Sequence, residues 1–231
     1  MNQESTNLYN NSHVNFDLKQ LNQPPSPSTP VINQNIPHDE PGLYHGFGVI
    51  CFATATLLLG ISYFDAYDNL RLLTIFGFFI GGLGQLIAGI MCYKNKYYID
   101  GSVYFYFALN WTITACYDLF PTWGWMEPLN HTEYGFHNLM GCFFTLVFFL
   151  QNLGAPSILT RISYTTTFLG FVFGTIGSFV DKRSIMKIAG VFNIITAAIA
   201  YYSAFAMTIN ERYKKNWIPV LDGKKFGVKL D

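Results

Sequence analysis

"GFFIGGLGQLIAG", residues 77–89, places five glycines and one glutamine in an otherwise apolar run. Glycine inside a helix is destabilising in water by roughly 1 kcal/mol relative to alanine. A chain that collects five of them needs another reason to be helical. Within a bilayer that reason exists. There is no hydrophobic force between helices surrounded by lipid, so association rests on close backbone approach and interhelical hydrogen bonds, which small residues permit. Gly77, Gly81, Gln85 and Gly89 stand at successive i+4 positions, which predicts one ridge down a membrane-spanning helix.

The rest of the chain agrees. Of its 231 residues 51% are hydrophobic and 12% charged, against about 25% charged in ordinary globular domains. Mean hydropathy is +0.24 although the first 42 residues are polar. Apolar runs without charge, on the scale of the roughly 18 residues a span requires, fall at Leu43–Tyr63, Leu72–Tyr93, Gly101–Tyr117, Gly135–Thr160, Ile162–Val180 and Ile188–Asn210. The third is the shortest and can extend through Asp118 to Phe120. Exposed faces of a soluble helical protein would carry charge every few residues. The expectation is therefore an all-α membrane protein, a six-transmembrane-helix bundle embedded in the lipid bilayer.

Loop charge sets the orientation. With six spans, Lys19, Lys94, Lys96, Arg161 and the six cations of the C-terminal tail share one side, and Arg71, Lys182, Arg183 and Lys187 the other. Both termini are predicted on the cytoplasmic side. The sequon Asn130-His131-Thr132 then faces outward.

Residues 1–42, rich in Asn, Gln, Ser and Pro, read as a disordered polar tail, with Ser26 and Thr29 each directly preceding a proline. Residues 43–210 form the transmembrane domain and 211–231 a basic C-terminal tail. No signal or transit peptide is read, so the plasma membrane is the default location, an internal membrane staying open. Trp123 and Trp125 in the 118–134 loop fit an interfacial aromatic belt.

Catalysis finds no footing, since no pair of His, Asp or Glu lies at membrane depth for acid–base work. Cys51, Cys92, Cys116 and Cys142 have no ligand-like spacing, so neither a metal nor a cofactor is expected. His131 and His137 read as interfacial residues rather than ligands. Zero net charge argues against a nucleic-acid partner.

The polar groups inside the spans are neutral. Gln85 must find partners or leave donors and an acceptor unsatisfied, and a cross-helix bond and a pore-lining role stand equal for it. Asn110 and Thr114 share a face at i+4. Gly170, Gly174 and Ser178 repeat the small-residue ridge in the fifth span. A bundle lined by hydroxyls and amides suits a small polar or weakly acidic solute.

Extended to "GFFIGGLGQLIAGIMCY", the opening stretch resembles the second span of the acetate uptake transporter family (AceTr, YaaH-type), GG-x-x-Q-x-x-A-G and an aromatic, through Gly81, Gly82, Gln85, Ala88, Gly89 and Tyr93. Further matches follow in order: "GFG" at 46–48, Trp111, Pro121, "TLVFFLQNL", "GTIGS", "AGVFNIITAAIAYYSAFAMTINE" and "IPVLD". The similarity covers about residues 41–222. It implies a six-helix bundle that assembles as a hexamer, each protomer passing acetate or succinate through its own narrow pathway. It also implies a hydrophobic constriction at Phe47, Phe107 and Thr167, with Thr166 the alternative because the preceding loop is one residue longer. An apolar neck of that kind dehydrates an anion and so gates its passage.

The chain departs from the family where the N-terminal signature reads "HDEPGLYHGF", and where Cys92 and Met207 replace glutamates and a hydroxyl replaces the leucine of the fifth span. Two other readings stay open on that account: a diverged, non-transporting structural or regulatory membrane subunit, and a transporter of another small solute such as ammonia.

Overall fold

The computed structural model describes residues 43–65, 71–154 and 157–220. The predicted tail 1–42, with Ser26 and Thr29, and the last eleven positions of the C-terminal tail lie outside the described residues.

Six helical rods are present among the described residues, and no strand. α1 is Leu43–Ser62. The second rod, Arg71–Lys94, comprises α2 (Arg71–Phe76), a π-helical segment (Gly77–Gly84) and α3 (Gln85–Lys94). α4 is Tyr98–Thr122, α5 His131–Asn152, α6 Ile158–Phe179 and α7 Arg183–Tyr213. Three rods, Tyr44–Ser62, Arg71–Lys94 and Arg183–Tyr213, are apolar and long enough to cross a membrane by length and composition. α5 and α6 have 22 residues each, about 33 Å of helix, enough for a hydrocarbon core of about 30 Å. They and α4 are simply richer in hydroxyls, amides and tyrosines.

The opening stretch shows what its glycines do. Wide i→i+5 turns run from Gly77 to Gly84, yet the three glycines of the predicted ridge, Gly77, Gly81 and Gly89, all meet α4, while Gly84, outside that ridge, meets α1. One set faces α4: a Cβ on Gly81 would lie 2.6 Å from Cγ of Trp111, and one on Gly82 2.6 Å from the Thr112 hydroxyl. Gly77 and Gly89 approach the same helix less tightly, at Trp111 and Phe105. The other set faces α1, where a Cβ on Gly84 would meet Sγ of Cys51 at 2.7 Å. Two helices are thereby drawn onto one rod from two directions. π segments of this kind recur at functional sites.

Elsewhere, α1 packs on α7, α7 on α6, and α6 on α5. The approach of α1 to α7 is closest at Gly60 and Gly190, where a Cβ on either would lie 2.9–3.0 Å from the other's carbonyl oxygen. Gly170 meets Oδ1 of Asn193 on α7, and Gly174 faces Asn138 on α5. α4 and α5 meet through side chains, with Tyr106 stacked on Phe144 at 4.1 Å.

Several boundaries differ from the sequence expectation. The fourth apolar run, read through Thr160, stops at Asn152, and α6 begins at Ile158 behind the N-cap Ser157, whose Oγ accepts from the Thr160 amide. The sequence Gly154-Ala155-Pro156 explains the break, because proline supplies no amide hydrogen to a helix ladder. Arg161, read as a loop residue, therefore sits in the first turn of α6. The loop after α4 is shorter than 118–134. Asn130, read as a sequon, is the N-cap of α5: its Oδ1 accepts from the amides of Thr132 and Glu133, and Glu133 returns a bond to the Asn130 amide. Trp123 and Trp125 remain exposed there and pack on each other.

Past α7 the chain reverses at Lys214, in the left-handed region. Asn210 then holds residue 218 by two bonds, accepting from the Ile218 amide at 2.9 Å and donating to its carbonyl at 2.8 Å. Tyr202 donates to the Pro219 carbonyl. This part of the tail is folded back along its own helix.

Candidate functional site

Two cavities lie among the helices. The larger, about 540 Å³, is reached by residues of α1, α2, α4, α5, α6 and α7, and the smaller, about 160 Å³, by residues of α1, α3, α4, α5, α6 and α7. Three residues line both: Phe52, Phe107 and Thr167. The rings of Phe52 and Phe107 are 4.8 Å apart, centroid to centroid, and tilted by 59°. Phe107 is buried in the main apolar cluster beside Trp111 and Phe148. Thr167 donates its hydroxyl hydrogen to the Ser163 carbonyl at 2.8 Å, so its one donor is used within its own helix. The wall between the cavities thus offers a solute two aromatic rings and a threonine with no free donor.

Of the four constriction candidates, Phe107 and Thr167 stand in this wall and Phe47 and Thr166 do not. Phe47 is 45% exposed and lines neither cavity. It follows Gly46 on a turn of α1 whose side chain points away. Phe47 and Phe52 are five residues apart, which separates them by about 140° around a helix. The N-terminal motif does not reveal Phe52, because a phenylalanine in an apolar run carries no mark of its own. Thr166 is turned toward α7, where its Oγ1 accepts from the buried Thr196 hydroxyl at 2.6 Å.

The larger cavity collects the polar groups of α4 and α5. Asn110 and Thr114 both line it. Thr114 donates to the Asn110 carbonyl at 2.9 Å and stands 3.4 Å from Nε2 of His137. Asp118, read as a span edge, accepts from the Thr74 hydroxyl at 2.7 Å and also lines the cavity. His131 and His137, read as interfacial, are both in its wall. Gly170 lines it beside Asn193. The Thr56 hydroxyl and Trp111 Nε1 are buried without a hydrogen-bond partner. Trp111 was legible only as a matching residue; its unpaired N–H is a tertiary fact.

The smaller cavity is where Gln85 resolves. Its side chain is 0% exposed, and neither Nε2 nor Oε1 has a partner. Among the described residues no cross-helix hydrogen bond reaches it, and it is one of the residues lining this cavity. His45 lines the same cavity with an equally unpartnered Nδ1, its ring edge-on to Tyr104. Tyr104 donates to the His45 carbonyl at 3.0 Å. Met207, at one of the positions where the family resemblance leads one to expect glutamate, lines this cavity, while Cys92, at the other, is fully buried in packing.

Comparison with known proteins accords with this architecture. The family model described as GPR1/FUN34/yaaH matches residues 29–222. The succinate-acetate/proton symporter SatP of Escherichia coli strain K12 is 24% identical over 173 residues, 75% of this chain and 92% of SatP. An uncharacterized protein of Methanothermobacter thermautotrophicus is 24% identical over 182 residues, 74% of this chain and 87% of its own length. A solved structure of the bacterial acetate channel SatP superposes with a TM-score of 0.74 at 22% identity, covering 77% of this chain and 97% of the channel. With its apolar spanning rods, its all-α bundle and a family match over most of its length, the chain is an integral membrane protein and belongs to the GPR1/FUN34/yaaH family.

Proposed function

We propose that this protein is a transmembrane transporter or channel for acetate or related small monocarboxylates, moving solute between two cavities through an apolar neck in each protomer. The observation that carries the reading is the shared wall of Phe52, Phe107 and Thr167. A hydrated anion must shed water to pass aromatic rings in close contact, so such a neck is a barrier that small, weakly hydrated forms cross best. Family membership and the names of the SatP relatives support acetate and succinate as the solute class. The remaining parts of the proposal are six spans with cytoplasmic termini, a homo-hexamer and a plasma-membrane location. Gln85, Asn110 and Thr114 serve as polar groups on either side of the neck, and Gly77, Gly81, Gly89, Gly170 and Gly174 as helix-packing positions.

The test is uptake of radiolabelled acetate into liposomes carrying the purified full chain. Saturable uptake above empty vesicles, reduced at least severalfold in Phe107→Trp, supports the proposal. Flux equal to passive leak from folded protein refutes it.

A second reading, a non-transporting subunit, draws on Cys92 and Met207. If acetate flux is absent until both are changed to glutamate, that reading replaces the first.

A further inference from the structure

The apolar run that begins at Ile188 ends at Asn210, where α7 leaves the hydrocarbon. A basic tail released at that point would run on into water. Here it does not. The chain turns at Lys214 in the left-handed region, the Lys215 amide donates to the Asn210 carbonyl at 3.2 Å, and the Asn210 side chain clasps Ile218. Two further bonds extend the strap: the Tyr202 hydroxyl donates to the Pro219 carbonyl at 2.8 Å and the Ser157 hydroxyl to the Val220 carbonyl at 3.3 Å. Residue 218 is thereby brought back to the level of residue 210. The loop between them stands out by little more than the last turn of α7, about 5 Å for three residues. The headgroup layer on each side of a bilayer core is roughly 5–7 Å deep, so the strap confines the turn to that layer.

The side chains on the turn suit such a place. Tyr213 and Trp217 are 65% and 64% exposed, with ring centroids 5.9 Å apart. Nζ of Lys215 lies 5.4 Å from the Trp217 ring centroid. Arg212 and Lys215 form no ion pair among the described residues, while Lys214 is paired with Glu211. Amphipathic rings favour the boundary between acyl chains and water. A guanidinium grips phosphate oxygens as a fork and an ammonium attracts them as a point charge.

Charge over the whole bundle separates its two ends. The starts of α1, α4 and α6 and the ends of α5 and α7 meet around the smaller cavity through His45, Asp100, Thr160, Asn152 and Met207, and Tyr93 of α3 packs at Gly101. Among the described residues this end carries Lys94, Lys96, Arg161, Arg212, Lys214 and Lys215 against Asp100 and Glu211. The opposite end carries Arg71, Lys182, Arg183 and Lys187 against Asp65, Asp118, Glu127, Glu133 and Asp181. Exposed tryptophans stand at both ends, Trp217 at the first and Trp123 and Trp125 at the second. Only the first combines them with an excess of positive charge.

We propose that the turn Arg212–Trp217 is a docking surface for the headgroup of an anionic phospholipid, with Arg212 and Lys215 on the phosphate and Tyr213 and Trp217 against the glycerol and upper acyl chains. A soluble phosphate compound shares the phosphate chemistry but leaves both rings uncovered, so lipid is the occupant. The inference goes beyond the transport reading and does not rest on it, since it requires only that the chain lies in a bilayer.

The test uses the full chain in nanodiscs of equal parts phosphatidylcholine and phosphatidylglycerol, with bromine on the acyl chains of one lipid or the other. Bromine quenches tryptophan emission on contact, and the share of quenching lost in Trp217→Phe belongs to Trp217. That share is expected to be severalfold larger when phosphatidylglycerol carries the bromine. The double variant Arg212→Gln with Lys215→Gln removes the preference, because each cation near an anionic surface contributes a factor of about five. Salt at about 0.5 M weakens it by screening, and Lys187→Gln, at the opposite end, leaves it unchanged. Asn210→Ala and, as an independent release of the strap, Tyr202→Phe lower quenching by both lipids. Equal quenching by the two lipids, a preference that survives the double variant, or a Trp217 that neither lipid quenches overturns the proposal. So does glycerol phosphate that shifts Trp217 emission in nanodiscs of phosphatidylcholine alone, which makes the surface one for a soluble phosphate.

Discussion

The rings of Phe52 and Phe107 lie 4.8 Å apart, centroid to centroid, and both belong to the wall that separates the two cavities. One comes from α1 and the other from α4, whose positions are set by the glycines of the rod between them. Contact between the rings therefore depends on how closely that rod lets its neighbours approach.

Removing one ring widens the neck. Phe52→Ala is expected to raise acetate uptake severalfold and to admit larger monocarboxylates such as butyrate, whereas Phe47→Ala, on an exposed face of α1, leaves uptake within about twofold. Initial rates in proteoliposomes check both. Equal effects of the two variants would place Phe47 on the path and remove Phe52 from its special position.

Gly81→Ala forces a methyl group against Trp111, where its Cβ would stand 2.6 Å from Cγ of the indole. Overpacking of this kind destabilises by about 1–3 kcal/mol, and the thermal unfolding midpoint is expected to drop by several degrees. Gly154, with nothing within 4 Å of an added Cβ, is the control. Gly154→Ala is expected to leave the midpoint in place.

Asn130 has two separable identities, sequon and helix cap. Asn130→Ala removes both and is expected to lower stability by about 1 kcal/mol, the usual effect of losing an N-cap. Thr132→Ala destroys the sequon and keeps the cap, so its stability stays close to that of the unaltered chain. Denaturation of protein made in a bacterial host, where glycan addition does not enter, reads the cap alone.

The Thr196–Thr166 bond joins α7 to α6 at 2.6 Å. Thr196→Val is expected to cost about 1 kcal/mol of stability with no change in the KM for uptake, since Thr166 lines neither cavity. The double variant Thr166→Val with Thr196→Val is expected to cost less than the sum of the single changes, because both partners of one bond are removed together. A shift in KM for Thr166→Val comparable to that for Thr167→Val would contradict the placement of these two hydroxyls.

Apolar runs long enough for a bilayer, together with the scarcity of charge, determine an all-α membrane chain from sequence alone. Hydrocarbon supplies no hydrogen bonds, so a spanning segment must satisfy its own backbone, and that constraint is local. The glycine-rich stretch likewise announces close packing, since small residues at helical spacing have few other uses in lipid. What lies beyond the sequence is direction. Gly77, Gly81, Gly82 and Gly89 meet α4 and Gly84 meets α1, and only the packed bundle shows which side chain each one meets. Phe47 and Phe52 are chemically identical and five residues apart, yet one faces outward and the other closes a wall. Thr166 and Thr167 are adjacent, yet one bonds to α7 and the other lines both cavities. Gln85 is legible as a problem in the sequence, an amide with no obvious partner. That it stays unanswered, beside His45 in one small cavity, is decided by tertiary structure, because whether a buried donor is satisfied depends on every helix that surrounds it.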